Sequence, residues 1–159
     1  MDTRWDLIYE LRSHEEEVRQ MQEVSAKGHG FSTTPHLFGT EEWWAAIASG
    51  SIERRTIEGT ITEAKPERLP DRQEFRMLTQ DGAELIGVRH GDPTRYVEGL
   101  RIRFEYVTLQ RSPDTPPEFG TTADVVIAVW IEHSQKRTPY LHSVLPPFPW
   151  PIDFDRERA

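Results

Sequence analysis

Two arginines in the middle of the chain are the side chains best suited to bind a charged ligand. Arg101 and Arg103 lie in the run 100–106, where apolar and charged residues alternate strictly. A period of two predicts a strand with one buried face and one solvated face, so both guanidinium groups should project outward. Because a guanidinium is planar and always charged, it can bind a phosphate, a carboxylate or an aromatic face.

Other candidate binding residues lie on the neighbouring predicted elements. Arg76 and Arg89 fall on two further strands, Trp44 on a short helix and Trp150 in the C-terminal segment. Glutamates are spaced so that they could pair with the arginines across strands, which leaves a salt-paired surface as the alternative interpretation; they are Glu74, Glu84, Glu98 and Glu105. The predicted ligand-binding or partner-binding residues are Arg76, Arg89, Arg101, Arg103, Trp44 and Trp150.

No motif for catalysis or metal binding is recognisable in the sequence. The chain has no cysteine, its six histidines are scattered, and it contains neither a Gly-rich phosphate loop nor a nucleophile elbow. We therefore predict no catalytic residues, no metal site and no cofactor. An enzyme whose site converges from remote positions is the open alternative.

The charge distribution argues against non-specific nucleic-acid binding. The 159 residues carry a net charge of −8. Residues 51–111 are balanced in charge and the flanks are acidic, so phosphates would be repelled by most of the chain.

The first residues do not resemble a signal peptide, and no apolar run is long enough to cross a membrane. A soluble cytoplasmic protein without membrane contact is the expectation.

The pattern along the chain predicts helices first and strands afterwards. Residues 4–26 have an apolar stripe at helical spacing. Residues 40–50 form a second, short helix between an N-cap, Thr40, and a C-terminal glycine, Gly50. Strands follow from residue 52 to 134, with Gly59 indicating a bend or a close backbone approach and the parity of the central strand slipping at Tyr106–Val107. Residues 123–133 are apolar on both faces, which predicts a strand covered on both sides, with Trp130 facing a covering helix. The predicted organisation is a helical extension packing on the barrel at 1–51, a β-barrel at 52–134 and a Pro-rich apolar tail at 135–159.

Residues 52–133 resemble the oligonucleotide/oligosaccharide-binding (OB) fold. The resemblance is carried by Gly59 in the first strand, the Asp81–Gly82 hairpin, and Val97-Glu98-Gly99 leading into residues 100–104. It implies a mainly β fold with α-helices: a five-stranded antiparallel OB-like barrel, an N-terminal amphipathic helix, a short Trp-bearing helix and an extended Pro-rich C-terminal tail. It also implies that ligands lie across the second and third strands.

The predicted function is a non-catalytic protein-interaction module, such as a small acidic bacterial adaptor or an immunity-type inhibitor. The acidic flanks, the amphipathic helix and the apolar tail favour another protein as the partner, and a homodimer through the N-terminal helix is a further prediction. The alternatives are an OB-type protein that binds single-stranded nucleic acid and an enzyme with an unrecognised site. Nucleic acid ranks lower because few aromatic residues occupy the outward positions beside the arginines.

Overall fold

The computed structural model describes residues 4–64 and 74–133. Within these residues, two α-helices accompany six strands. The strands are β1 Trp5–Glu10, β2 Arg55–Glu63, β3 Glu74–Thr79, β4 Glu84–Val88, β5 Arg101–Gln110 and β6 Thr122–Glu132, and the helices are α1 Glu15–Ala26 and α2 Glu41–Ser49. Hydrogen-bonded neighbours follow the order β1-β6-β5-β2-β3-β4, so β1 and β4 end an open sheet. The pairs β2–β3 and β3–β4 are antiparallel.

The prediction of one helix over residues 4–26 is wrong for its first part. Residues 5–10 are β1, and the α-helix begins at Glu15. β1 pairs with β6, and the His133 N–H donates a further hydrogen bond to the Arg4 carbonyl at 2.6 Å. These inter-strand hydrogen bonds favour a strand more than the weak helical pattern of residues 5–10 favours a helix. Three glutamates, Glu15 to Glu17, lie in the first turn, where negative charge is favourable, and they mark the true start of the helix.

The short Trp-bearing helix is confirmed. The Thr40 hydroxyl oxygen accepts a hydrogen bond from the Trp43 N–H at 3.3 Å, which is the contact expected of an N-cap. Gly50 ends α2 in the left-handed conformation, with φ of 89°. A residue with a Cβ would be strained there, so the glycine fixes the point at which the chain leaves the helix.

The described residues form two compact units, and the first holds residues 4–9, 58–64, 74–103 and 130–133. Its core consists of Ile61, Met77, Ile102 and Ile131, each at most 1% exposed, with Phe75 and Tyr96 rings 5.0 Å apart. Burial raises the pKa of Tyr96, whose hydroxyl donates to the His90 carbonyl at 2.7 Å.

Gly59 gives the first unit a close approach between strands, which is one of the two roles that the sequence predicted for it. A Cβ at this position would lie 2.5 Å from Met77 Cε and 2.6 Å from the Leu78 carbonyl oxygen. Backbone atoms cannot move aside as a flexible side chain can, so β2 and β3 pack closely because residue 59 has no side chain.

The second unit holds residues 10–57 and 104–129 and is centred on aromatic rings. Phe38 and Trp43 are buried with ring centroids 4.6 Å apart, and Phe31 lies 5.3 Å from Phe38. Val107 on β5 is fully buried here. In the first unit the buried β5 residue is Ile102, so the buried positions change parity along β5, as the sequence predicted.

The fold class is mainly β with α-helices, as expected, but it has six strands in an open sheet, not five in a barrel. The predicted count missed β1, which had been assigned to a helix. Three consecutive buried residues, Ile127 to Val129, show that β6 is covered on both faces at these positions. The predicted tail at 135–159 lies outside the described residues, and the division at residues 51 and 134 stays a prediction.

Candidate functional site

The outward face of the sheet in the first unit presents the charged residues of its strands. Ile61, Met77 and Ile102 point inward and are buried. Because side chains alternate along a strand, Glu58 on β2, Arg76 on β3 and the β5 arginines point to the opposite side. The candidate site is built on this outward face.

Arg101 is held by an ion pair within the sheet. Its Nη2 lies 3.0 Å from Glu58 Oε1, and its backbone N–H donates to Glu132 Oε1 at 3.2 Å. Its guanidinium carbon also lies 5.6 Å from the centre of the Trp5 ring. The charge of Arg101 is therefore largely neutralised inside the protein.

Arg103, two residues further along β5, lies against two indole rings. Its guanidinium carbon is 4.7 Å from the centre of the Trp5 ring and 5.0 Å from that of Trp130. All three side chains are half-buried. Cation–π contacts of this kind are worth about 0.5–2 kcal/mol each and hold the cation in one orientation. We call Trp5, Arg101, Arg103 and Trp130 the Arg–Trp surface.

Arg76 and Arg89 are placed differently and do not join the Arg–Trp surface. Arg76 pairs with Glu84 across β3 and β4 at 3.3 Å, as the spacing of the glutamates predicted. Arg89 donates through Nη1 to the Ala64 carbonyl at 3.3 Å. In the strand order β2 separates β5 from β3, so the Arg76 and Arg101 backbones are at least two strand spacings apart, about 10 Å.

Three aliphatic residues also lie on the outward face at the sheet end. Leu78, Ile86 and Val88 are 45%, 56% and 52% exposed. The register sets Ile86 opposite Arg76 and Leu78 opposite Glu84, so the ion pair lies among the aliphatic side chains. Exposed apolar area of this kind, with polar groups beside it, is typical of protein-binding surfaces.

The structure assigns Trp44 to the second unit. Its half-buried ring lies 4.7 Å from that of Trp43 and 5.1 Å from the Arg12 guanidinium carbon, and Arg12 also pairs with Glu41 at 3.1 Å. Trp150 lies outside the described residues. Among the described residues the predicted site residues fall into separate groups, and Arg101 and Arg103 share a contact, the Trp5 ring.

The Asp6 carboxylate, next to Trp5 in β1, contacts two side chains from later parts of the chain. Asp6 Oδ2 lies 2.9 Å from His133 Nδ1 and 2.8 Å from Arg95 Nη2. The hydrogen bond with His133, followed by that with Arg95, lowers the pKa of Asp6. These contacts fix the strand that carries Trp5.

Trp5 and Trp130 are the site residues that sequence reasoning missed. Trp5 had been assigned to a helix, and Trp130 had been expected to face a covering helix. Trp5, Leu7 and Tyr9 occupy every second position of β1, but Ile8 lies between them, so this run gives only a weak strand signal. With both rings in place, the outward face does carry aromatic residues beside its arginines.

The arrangement offers groups that are suited to recognition of a partner. In residues 4–64 and 74–133, no three His, Asp or Glu side chains converge as metal ligands would. None of the helices in the described part of the chain is long and apolar enough to cross a membrane. Fixed cations, indole rings and exposed aliphatic groups are the components of protein–protein interfaces, where Trp and Arg are enriched.

Comparison with known proteins identifies the family. The family model "Immunity protein RhsI2" matches residues 1–128, which is most of the chain. No curated protein sequence matches this chain. The match supports an immunity-type protein-interaction role, as the sequence analysis predicted, and the partner class is another protein. The chain belongs to the RhsI2 immunity protein family.

Proposed function

We propose that this protein binds a protein toxin and neutralises it, using the outward face of the sheet in the first unit. The observation that carries the proposal is the family match over residues 1–128. An immunity protein acts by occupying its toxin, so the contact surface must offer enough area and a few strong anchors. The outward face has both.

The dimensions of the face suit a stable protein complex. From β1 to β4 the sheet has five inter-strand spacings, about 24 Å at ~4.8 Å each. A standard interface buries about 800 Å² per partner, a patch of comparable width. The Arg–Trp surface supplies Trp and Arg, the residue types that dominate binding energy, and Leu78, Ile86 and Val88 supply apolar area.

Growth protection tests this proposal. Candidate toxin domains of the source genome are expressed one at a time in a bacterial reporter strain, with and without this chain. We expect the chain to relieve the growth arrest caused by one of them, and the purified pair to form a complex in size-exclusion chromatography. An expressed and folded chain that relieves none of them would contradict the proposal.

The same experiment separates inhibition by contact from indirect protection. Protection should disappear in a variant with the outward face altered, Arg103→Glu with Ile86→Lys, that keeps the wild-type circular dichroism spectrum and melting temperature. The matched control is Arg19→Glu on α1, an exposed arginine that pairs with Glu16. Equal protection by wild type and by the altered face would move the binding site elsewhere.

Three finer expectations stay predictions within this proposal. The first is a homodimer through the N-terminal helix, which sedimentation of the full chain checks. The second is the cytoplasmic location. The third is the nucleic-acid alternative: the indole rings could stack on bases, but both contact arginines, and the net charge of −8 opposes a polyanion. We expect no binding of mixed oligonucleotides at low salt.

A further inference from the structure

Arg103 differs from the charged residues on either side of it in β5. Arg101 pairs with Glu58 at 3.0 Å, and Glu105 pairs with Arg54 at 3.7 Å. In the described chain, no carboxylate lies within ion-pair distance of the Arg103 guanidinium, whose contacts are the two indole rings. One cation in a row of paired charges is therefore left without an anionic partner among those residues.

Two indole rings contact this cation, and among the described residues its N–H groups make no hydrogen bond. A guanidinium that stacks on an aromatic ring does so through its flat face, whereas its five N–H groups lie in its plane. Contacts with Trp5 and Trp130 therefore stiffen a long side chain and leave the in-plane donors for another group. Ordering the side chain beforehand lowers the entropy cost of binding.

We propose that Arg103 is a receptor for a carboxylate of the toxin, an Asp or Glu side chain that binds its donors in the fork-to-fork geometry. A carboxylate matches that geometry in size and charge and can accept two parallel hydrogen bonds. The indole rings on β1 and β6 exclude water around the pair, which strengthens it. This inference rests on the proposed function, because it names the chemistry by which the same face recognises its partner.

The surroundings favour a single carboxylate over a phosphate-rich partner. Arg101 is already neutralised by Glu58, and Glu132 lies beside it. One available cation next to two acids can hold one negative charge but would repel a string of phosphates. A protein side chain delivers a single negative charge in a defined position.

A small-molecule titration tests the receptor without any toxin. The Nε–Hε signal of Arg103 is followed by NMR while N-acetylglutamate N-methylamide is added to the full chain, with the neutral N-acetylglutamine N-methylamide as the matched compound. We expect a saturable shift of the Arg103 signal with the glutamate compound alone, and no such shift for Arg19, which is paired with Glu16. An Arg103 signal that responds equally to both compounds would overturn the inference.

The growth assay identifies the toxin, and the affinity of the protein for that toxin then tests the role of Arg103 in the complex. Arg103→Met keeps the apolar stem and should weaken the complex about 100-fold, while Arg103→Lys, which keeps the charge but not the fork, should weaken it about 10-fold. The Arg19→Met control should leave the affinity unchanged. If the toxin binds the Arg103→Met variant as tightly as wild type, the inference about Arg103 is refuted and the proposed function stands. If the Arg103 signal shifts with the glutamate compound alone but the protein neutralises no toxin, the carboxylate-binding role of Arg103 is supported and the proposed function is refuted.

Discussion

Tryptophan serves two purposes in the two units of this protein. In the second unit, Trp43 is 2% exposed and packs on Phe38, with ring centroids 4.6 Å apart. In the first unit, Trp5 and Trp130 are half-buried and contact the guanidinium of Arg103. Tryptophan is therefore buried in a hydrophobic core in one unit and makes cation–π contacts in the other.

The difference shows that neighbours decide what a tryptophan does. A ring surrounded by apolar rings contributes its full burial to stability. A ring against an arginine contributes less to stability, because part of it remains in water, but it fixes where a charge points. Variants of the two kinds of tryptophan should therefore separate stability from binding.

The largest expected effect is on stability, in the aromatic core. Trp43→Ala should lower the free energy of unfolding by about 3–5 kcal/mol, because it removes a buried ring and leaves a cavity. Urea denaturation followed by circular dichroism measures the change. The adjacent Trp44, half-buried beside Arg12, is the matched control, and Trp44→Ala should cost well under half as much. Equal losses for the two variants would break the comparison.

Trp130→Ala should show the opposite profile. Arg103 loses one of its two indole contacts, so its orientation is less fixed, and the affinity for the toxin should fall about tenfold. The loss of unfolding free energy should be smaller than for Trp43→Ala, since the ring is only half-buried. A Trp130→Ala protein that binds normally but unfolds as readily as Trp43→Ala would make Trp130 a core residue.

Removing the N-cap of α2 should have a moderate effect on the unit that holds Trp43. Thr40→Ala leaves the Trp43 N–H without its hydroxyl acceptor and should cost about 1 kcal/mol. Thermal unfolding compared with Thr33→Ala, at an exposed loop position, measures it. A cost equal to that of the loop variant would mean that the cap adds nothing to α2.

The smallest effect is expected at Asp6, and it depends on pH. Its pKa is lowered in the folded protein from an ordinary value of 3.8, chiefly by the His133 hydrogen bond. The carboxylate therefore stabilises the fold above that value, and the stabilisation is lost as pH falls through the lower folded pKa. Asp6→Asn should be less stable than wild type near neutral pH, and the difference should shrink as pH falls from 3.8 through the lower folded pKa of Asp6. A difference that does not shrink as pH falls below 3.8 would contradict this role.

Local signals were sufficient to predict several elements. Thr40, the acidic first turn and Gly50 predicted α2, because caps act within a few residues. The alternation in residues 100–106 predicted which β5 side chains face outward, and the two-sided apolar run predicted a covered β6. Gly59 predicted a bend or a close backbone approach, and the structure shows the close approach, between β2 and β3.

Long-range pairing is what the sequence did not reveal. β1 is a strand because it pairs with β6, more than a hundred residues later, and its own residues are compatible with a helix. Because such long-range pairing is not visible in the sequence, only the arginines of the Arg–Trp surface were predicted. Arg101 and Arg103 were found from their alternation, whereas Trp5 and Trp130 reach them from β1 and β6.

Growth protection by three forms of the protein at equal expression tests most directly whether Arg103 and Trp130 bind the toxin. Wild type and Arg19→Met should protect fully. The double variant Arg103→Met with Trp130→Ala should remain folded, as judged by circular dichroism, and should fail to protect. Full protection by the folded double variant, or no protection by the wild type against any candidate toxin, would contradict the account.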